Sequence, residues 1–376
     1  MSHRPASYPL PAPSYQHVYV HVPFCARRCT YCDFAIAVRS EVPVDEYLEA
    51  LGRELRMSPP FGPLETLYLG GGTPSRLGGE GIARLLAMFS PDIPEVTMEA
   101  NPEDVTPQAV HEWVAAGVNR LSLGVQSFAD AVLHWMHRTH DSRAVYDAVR
   151  AARDGGLTNI SLDLIFALPD DMRRDFAADL DAIIALAPEH VSLYGLTVEP
   201  RTPLDRQIAR GQTRPAGDAR WEEEYLLAHE KLTGAGYRFY EVSNASLPGR
   251  ESRHNSAYWK QVPYLGLGPS SHSFDGRARW WNEAAYRAWV DRLLKGDSPV
   301  AGREELTDSD TSLERLYLRL RTSDGLSVMM LPEPARQSAA QWVRQGWARQ
   351  EGSGEEARIV LNPTGWLRLD ELVASV

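Results

Sequence analysis

The chain has 376 residues and a formal net charge of −11, with no run of Lys or Arg. That balance argues against nucleic acid as a partner and against a polybasic membrane anchor. No apolar stretch approaches the ~20 residues a membrane-spanning helix needs, and the length suits one large domain with a small companion.

Residues 1–16, with Pro5, Pro9, Pro11 and Pro13, read as an extended tail lacking the apolar core of a signal peptide. His17–Val22 is the first expected strand. All three cysteines of the chain, Cys25, Cys29 and Cys32, follow it directly. Their odd number and crowding argue against disulfides. Structural zinc usually takes four protein ligands, often as two separated Cys-x2-Cys pairs. Cysteines chosen for packing would be scattered rather than set beside Arg27 and Arg28. Three thiolates on one loop instead suit three irons of a [4Fe–4S] cluster, with the fourth iron open to a non-protein ligand. Such a site, with no export signal, points to a reducing cytoplasm.

Further β-then-α units follow. Strands are expected at Thr66–Gly72, Glu95–Ala100, Arg120–Val125, Asn159–Ala167 and His190–Val198. Helices are expected at Asp45–Met57, Gly81–Phe89, Pro107–Ala116, Ser142–Arg153, Arg173–Ala185 and Asp218–Thr233. Pro107 suits a first helical turn and Gly117 a helix stop. Six units imply an α/β fold with parallel strands and crossover helices, as a partial (β/α)6 barrel or an open sheet.

Side-chain alternation favours the barrel. Thr97 and Glu99, Ser122 and Gln126, Ser161 and Asp163, and Ser192 and Tyr194 share one parity, while Val96, Met98, Leu162, Leu164, Val191 and Leu193 share the other. A sheet buried on both faces would be apolar on both. The polar parity predicts a lumen holding a polar ligand. Gly70–Thr73, Glu99, Gln126, Asp163 and Tyr194 also fall near C-terminal strand ends, where parallel α/β folds build their sites.

The barrel is assigned to 17–250. Regular alternation stops near residue 240, and 251–303 reads as a loop-rich cap or connector with a helix around Trp280–Leu294. A small C-terminal helical or winged-helix-like domain is assigned to 304–376, from segments at Ser312–Arg321, Glu333–Gln345, Arg358–Leu361 and Trp366–Ala374.

The run Cys25-x3-Cys29-x2-Cys32 resembles the signature of the radical S-adenosylmethionine (SAM) superfamily. Tyr19-Val-His21-Val-Pro-Phe-Cys25 and His254-Asn-x-x-Tyr258-Trp259 are similar to its HemW branch. The resemblance implies that the three cysteines ligate one [4Fe–4S] cluster, whose unique iron chelates the amine and carboxylate of SAM. It places Tyr31 near the adenine, and the backbone of Gly71, Gly72 and Thr73 on the methionine amino group. Glu99 is implied as a further SAM contact. Gln126, Arg138 and Asp163 align with positions that hold a second SAM in HemN-type enzymes; an internal Arg138–Asp163 ion pair is the structural alternative. Tyr19 and Gly195 match less specific cofactor positions, and His21 fits a hydrogen-bonded core histidine equally well.

The sequence departs from HemN-type coproporphyrinogen dehydrogenases at Phe34, where those enzymes carry a fourth cysteine. The 18 residues before Tyr19 are also fewer than their N-terminal extension. The resemblance therefore implies a haem chaperone, binding cluster, SAM and haem and delivering haem to client haemoproteins of the respiratory chain. Membrane contact would come only through those clients. His254, Tyr258 and Trp259 are the implied haem contacts, since imidazole is a competent axial ligand and aromatics stack on porphyrins. His272 is the alternative ligand. The rival functions are an oxygen-independent coproporphyrinogen III dehydrogenase and a radical SAM enzyme on an unrelated substrate.

Overall fold

The computed structural model describes residues 15–331 and 333–376. The tail expected over 1–16 lies outside the described residues except for Tyr15 and Gln16, which open the first strand. Six strands stand side by side in chain order and run parallel: β1 (Tyr15–Val22), β2 (Phe61–Gly71), β3 (Glu95–Ala100), β4 (Arg120–Gln126), β5 (Ile160–Phe166) and β6 (His190–Gly195). Helices α1 (Val44–Met57), α2 (Gly78–Leu86), α3 (Pro107–Ala116), α4 (Ser142–Asp154), α5 (Phe176–Leu186) and α6 (Asp218–Gly234) lie between or after them. This is the partial (β/α)6 barrel. Val96, Met98, Leu162, Leu164, Val191 and Leu193, the apolar parity, are all buried in the main core.

Local chemistry sets the boundaries. The Thr106 hydroxyl accepts from Ala109 N–H, Pro107 opens α3, and Gly117 closes it at φ 112°. Asp141 and Asp175 cap α4 and α5 in the same way. Each cap satisfies an otherwise orphaned backbone donor.

The sheet extends further than the sequence pattern suggests. A hairpin, β7 (Arg238–Glu241) and β8 (Asn244–Ser246), adds antiparallel to β6. At the opposite edge β9 (Leu265–Leu267) pairs in parallel with β1. The stretch read as cap or connector thus contributes a seventh parallel strand. Three residues carry no measurable alternation, so only the pairing with β1 reveals them.

The helix expected around Trp280–Leu294 begins later, at Tyr286–Lys295. Trp280 and Trp281 instead lie in β10 (Ala278–Asn282), paired with His272–Phe274 and Val300–Glu305. Aromatic residues suit a pleated, half-buried surface, and cross-strand partners decided between the two states. Glu54 of α1 fastens this region to the barrel. Its buried carboxylate accepts from Gly268 N–H at 2.8 Å, Trp289 Nε1–H at 2.9 Å and Asn282 Nδ2–H at 2.5 Å.

The C-terminal unit sets helices Asp308–Leu320 and Glu333–Arg344 against a three-stranded antiparallel sheet of Leu326–Ser327, Arg358–Leu361 and Ala348–Glu351. The expected last segment divides into Pro363–Trp366 and Leu369–Ala374. Arg321 pairs with buried Glu241 at 2.8 Å, which ties this unit to the hairpin at the barrel edge.

Candidate functional site

The cysteine loop is held at both ends and in its middle. Phe24–Cys25 pairs in parallel with Ala37–Val38, which closes the loop on itself. Between them Thr30 is fully buried. Its N–H donates to the Met136 carbonyl at 3.2 Å, and its carbonyl accepts from Leu204 N–H at 2.8 Å. The thiols are therefore presented from a loop fixed by three separate parts of the chain.

All three cysteines are unpaired and partly buried. Among the described residues no three His, Cys, Asp or Glu side chains converge as a single-ion site would require. The thiols instead stand along one cavity of about 480 Å³. Cys25 Sγ lies 3.5 Å from the Thr73 hydroxyl, and Arg138 Nη1 donates to Cys29 Sγ at 3.7 Å. Burial pushes the Cys32 thiol up to about 11. Binding a cluster here would release protons, as metal binding to thiols does.

The same cavity is lined by Tyr31, Gly71, Gly72, Thr73, Glu99, Gln126, Arg138, Asp163 and Gly195. The strand register brings them together: β1 to β6 are parallel, so their C-terminal ends share one edge. The glycine run has packing reasons of its own. Gly71 adopts φ 110°, and a Cβ on Gly72 would come within 2.7 Å of the Pro23 carbonyl. Gln126 holds φ 69° where β4 slips register, an uncommon conformation that turns its side chain into the cavity.

Glu99 is half-buried at the cavity wall. Its carboxylate accepts from the Tyr68 hydroxyl at 2.9 Å and from Gly71 N–H at 3.0 Å, and desolvation pushes it up to about 7. Asp163 accepts from Ser122 and Ser161 hydroxyls at 3.2 and 3.4 Å, and burial raises it as well. Arg138 does not pair with Asp163. Its Nη2 donates to Asn101 Oδ1 and to the Gly124 carbonyl, both at 2.7 Å. The guanidinium thus belongs to the cysteine side of the cavity.

Tyr194 and Phe34 were not among the expected cofactor contacts. Tyr194 is 46 % exposed at the end of β6 and Phe34 is 61 % exposed on the cysteine loop, yet both line the cavity. Aromatic faces left open toward a cavity are suited to stacking on a flat ligand. The alternation along β6 already grouped Tyr194 with the polar parity. Nothing in the sequence marked Phe34 as more than a missing cysteine.

A second chamber of about 600 Å³ adjoins the first, and the two share Asp33, Phe34, Gly71 and Glu99 in their walls. Tyr19, Tyr258, Trp259 and His272 line this chamber. His254 does not. It is 1 % exposed, with Nδ1 2.6 Å from the Thr66 hydroxyl and Nε2 2.7 Å from the Tyr258 hydroxyl. Desolvation lowers it to about 3, which keeps the ring neutral. His21 is likewise engaged, by Tyr19 at 3.2 Å and by the Ala35 carbonyl at 2.9 Å.

Comparison with known proteins identifies the family of the chain. Residues 19–183 match the radical SAM superfamily. A Mycobacterium tuberculosis protein named heme chaperone HemW is 37 % identical over 371 residues, covering 96 % of this chain and 94 % of the relative. The heme chaperone HemW of Bacillus subtilis is 34 % identical over 320 residues, covering 82 % and 84 %. Among solved structures, Escherichia coli coproporphyrinogen III oxidase (HemN), a radical SAM enzyme, superposes with a TM-score of 0.80 at 22 % identity, over 98 % of this chain and 91 % of that one; this likeness concerns the fold. At the identity and coverage of the first two relatives, the chain belongs to the HemW family within the radical SAM superfamily.

Proposed function

We propose that this chain carries haem: it binds a [4Fe–4S] cluster and SAM in the first cavity, holds haem in the adjoining chamber, and delivers haem to client haemoproteins in the cytoplasm. The observation carrying this reading is the shared wall of the two cavities at Asp33, Phe34, Gly71 and Glu99.

The residues present suit the cofactors the family implies. Three thiols stand along one cavity with a guanidinium beside Cys29, which offsets the negative charge of a thiolate-bound cluster. Bound there, a reduced cluster would supply the electron that radical SAM chemistry requires. Glu99, half-buried and fed by two donors, is placed to take the ammonium of a methionine moiety, and its ionised form is the one that binds it. Tyr194 offers a ring face for an adenine, and Asp163 offers an acceptor for ribose hydroxyls.

Phe34 supports a carrier rather than a coproporphyrinogen dehydrogenase. It occupies the position of the dehydrogenases' fourth cysteine and faces both cavities as an apolar ring. Tyr258 and Trp259 give the chamber the flat aromatic walls a porphyrin needs. His254 acts as a positioning residue, since its bond to Tyr258 fixes that wall.

Anaerobic cluster reconstitution followed by parallel haem titration and SAM-cleavage assay tests this reading. Saturable haem binding without conversion of coproporphyrinogen is expected. Turnover of coproporphyrinogen to protoporphyrinogen overturns it, and 5′-deoxyadenosine formation without haem binding favours an enzyme on another substrate.

A further inference from the structure

Three histidines lie in or against the second chamber, and they differ in what their ring nitrogens already do. Both nitrogens of His254 and both of His21 are hydrogen-bonded. His272 is exposed on the chamber wall, and neither of its nitrogens has a hydrogen-bond partner among the described residues. Its ring is nevertheless fixed. It stacks on Trp281 with centroids 5.8 Å apart and planes 27° from parallel, and its strand pairs with β10. The turn before it is clamped by Asn282, which donates to the Gly268 carbonyl at 2.9 Å and to the Ser271 hydroxyl at 3.1 Å. A rigid, unoccupied imidazole at a cavity wall is what an axial haem ligand requires.

The chamber also carries polar groups without partners. Trp259 Nε1–H and the Gln261 amide nitrogen are buried donors with no acceptor among the described residues, and both residues line the chamber. Unpaired buried donors are uncommon, and a ligand's acceptor atoms are a standard resolution. Gln261 and Ser270 further hold left-handed backbone at φ 54° and 62° on this same wall. Strain of that kind gathers at ligand sites.

We propose that the second chamber seats haem with His272 as the axial ligand to iron, and with the Trp259 indole N–H and Gln261 amide donating to the propionate carboxylates. The assignment rests on the haem-carrying reading and deepens it. It moves the ligand role from His254, whose ring is spent within the protein, to a histidine eighteen positions further along the chain. Binding forms one Fe–N bond through the unprotonated ring nitrogen, breaks the bond from iron to the solvent ligand of free ferric haem, and involves no redox change.

The test uses the full-length, cluster-reconstituted protein, titrated with ferric haem and followed by absorption and electron paramagnetic resonance spectra. His272→Ala is expected to weaken binding about tenfold and to move the Soret band and spin state, with added imidazole restoring both. His272 is exposed, so folding of the variant is expected, and circular dichroism checks it. Gln261→Ala should weaken haem binding without moving the spectrum. A His272→Ala spectrum and affinity equal to wild type overturn the ligand assignment while the carrier reading stands. Failure of the wild type itself to bind haem overturns both.

Discussion

The Thr66 hydroxyl and His254 Nδ1 lie 2.6 Å apart, and Thr66 is also 2.9 Å from His17 Nδ1. This small chain of polar groups, continued to Tyr258 through the other nitrogen of His254, is buried between β2 and the helix Arg253–Trp259. It converts a motif histidine into a brace. Glu95 completes the arrangement by accepting from the N–H groups of Arg253 and His254 at the start of that helix.

His254→Ala is accordingly expected to act on stability. The change leaves the Tyr258 hydroxyl without its partner and opens a cavity, for a combined cost of about 2–4 kcal/mol. Urea unfolding of the apoprotein measures it. A variant as stable as the wild type would show that the polar chain contributes nothing.

Stability should also depend on pH through two desolvated carboxyls, buried Glu54 and half-buried Glu99. Desolvation pushes Glu54 and Glu99 each from 4.5 up to about 7. A raised carboxyl binds its proton more tightly in the folded chain, so its contribution is fully present below the ordinary carboxylate range. The contribution is then lost as pH rises through about 7. One such group is worth on the order of 3 kcal/mol at full effect. Glu54→Gln should remove part of the slope between mildly acidic and mildly alkaline pH, and Glu99→Gln a separate part. Unfolding free energies across that range decide the matter; an unchanged slope in both variants contradicts it.

Arg138 offers a comparison between charge and shape. Its fork satisfies Asn101 Oδ1 and the Gly124 carbonyl at once while reaching Cys29. Lysine keeps the charge but cannot hold both acceptors. Arg138→Lys and Arg138→Gln should both lose about 1–3 kcal/mol for the acceptor left unpaired. The cluster reduction potential should fall further in Arg138→Gln, which also loses the charge. Equal potentials in the two variants would remove the electrostatic role.

Gly72→Ala probes the loop itself. A Cβ there would meet backbone atoms of Pro23 and Phe24, which cannot swing aside as a side-chain tip can. Overpacking of this kind costs about 1–3 kcal/mol. Iron and sulfide content after reconstitution should drop along with melting temperature. Full cluster occupancy in the variant would show that the loop tolerates the displacement.

Much of the lining of the first cavity was legible in the chain alone. Crowded cysteines can be read directly, because their chemistry depends on spacing within one short loop. The strand faces were legible too: Glu99, Gln126 and Asp163 share the polar parity, and parallel strands bring their ends to one edge. The period-two alternation is a local property, and the parallel register does the rest.

Other features escaped because they depend on distant partners. Glu54 looks like any acidic residue of an amphipathic helix until Gly268, Asn282 and Trp289 close over it. Leu265–Leu267 is a strand only because β1 lies beside it. The two neighbouring tryptophans, Trp280 and Trp281, were expected in a helix and lie in a strand because His272–Phe274 and Val300–Glu305 flank them.

The sequence by itself determined the crowded cysteine loop, the six parallel strands and the polar parity that lines the cavity, since each is written in short-range spacing. Only the tertiary structure decided which histidine is spent and which is free. His254 and His272 are alike as residues in aromatic-rich stretches of the sequence. One ring is enclosed by Thr66 and Tyr258, and the other stands on a chamber wall without a hydrogen-bond partner among the described residues. That difference is a matter of who else is near, and side-chain neighbours separated by nearly two hundred positions leave no trace in local pattern.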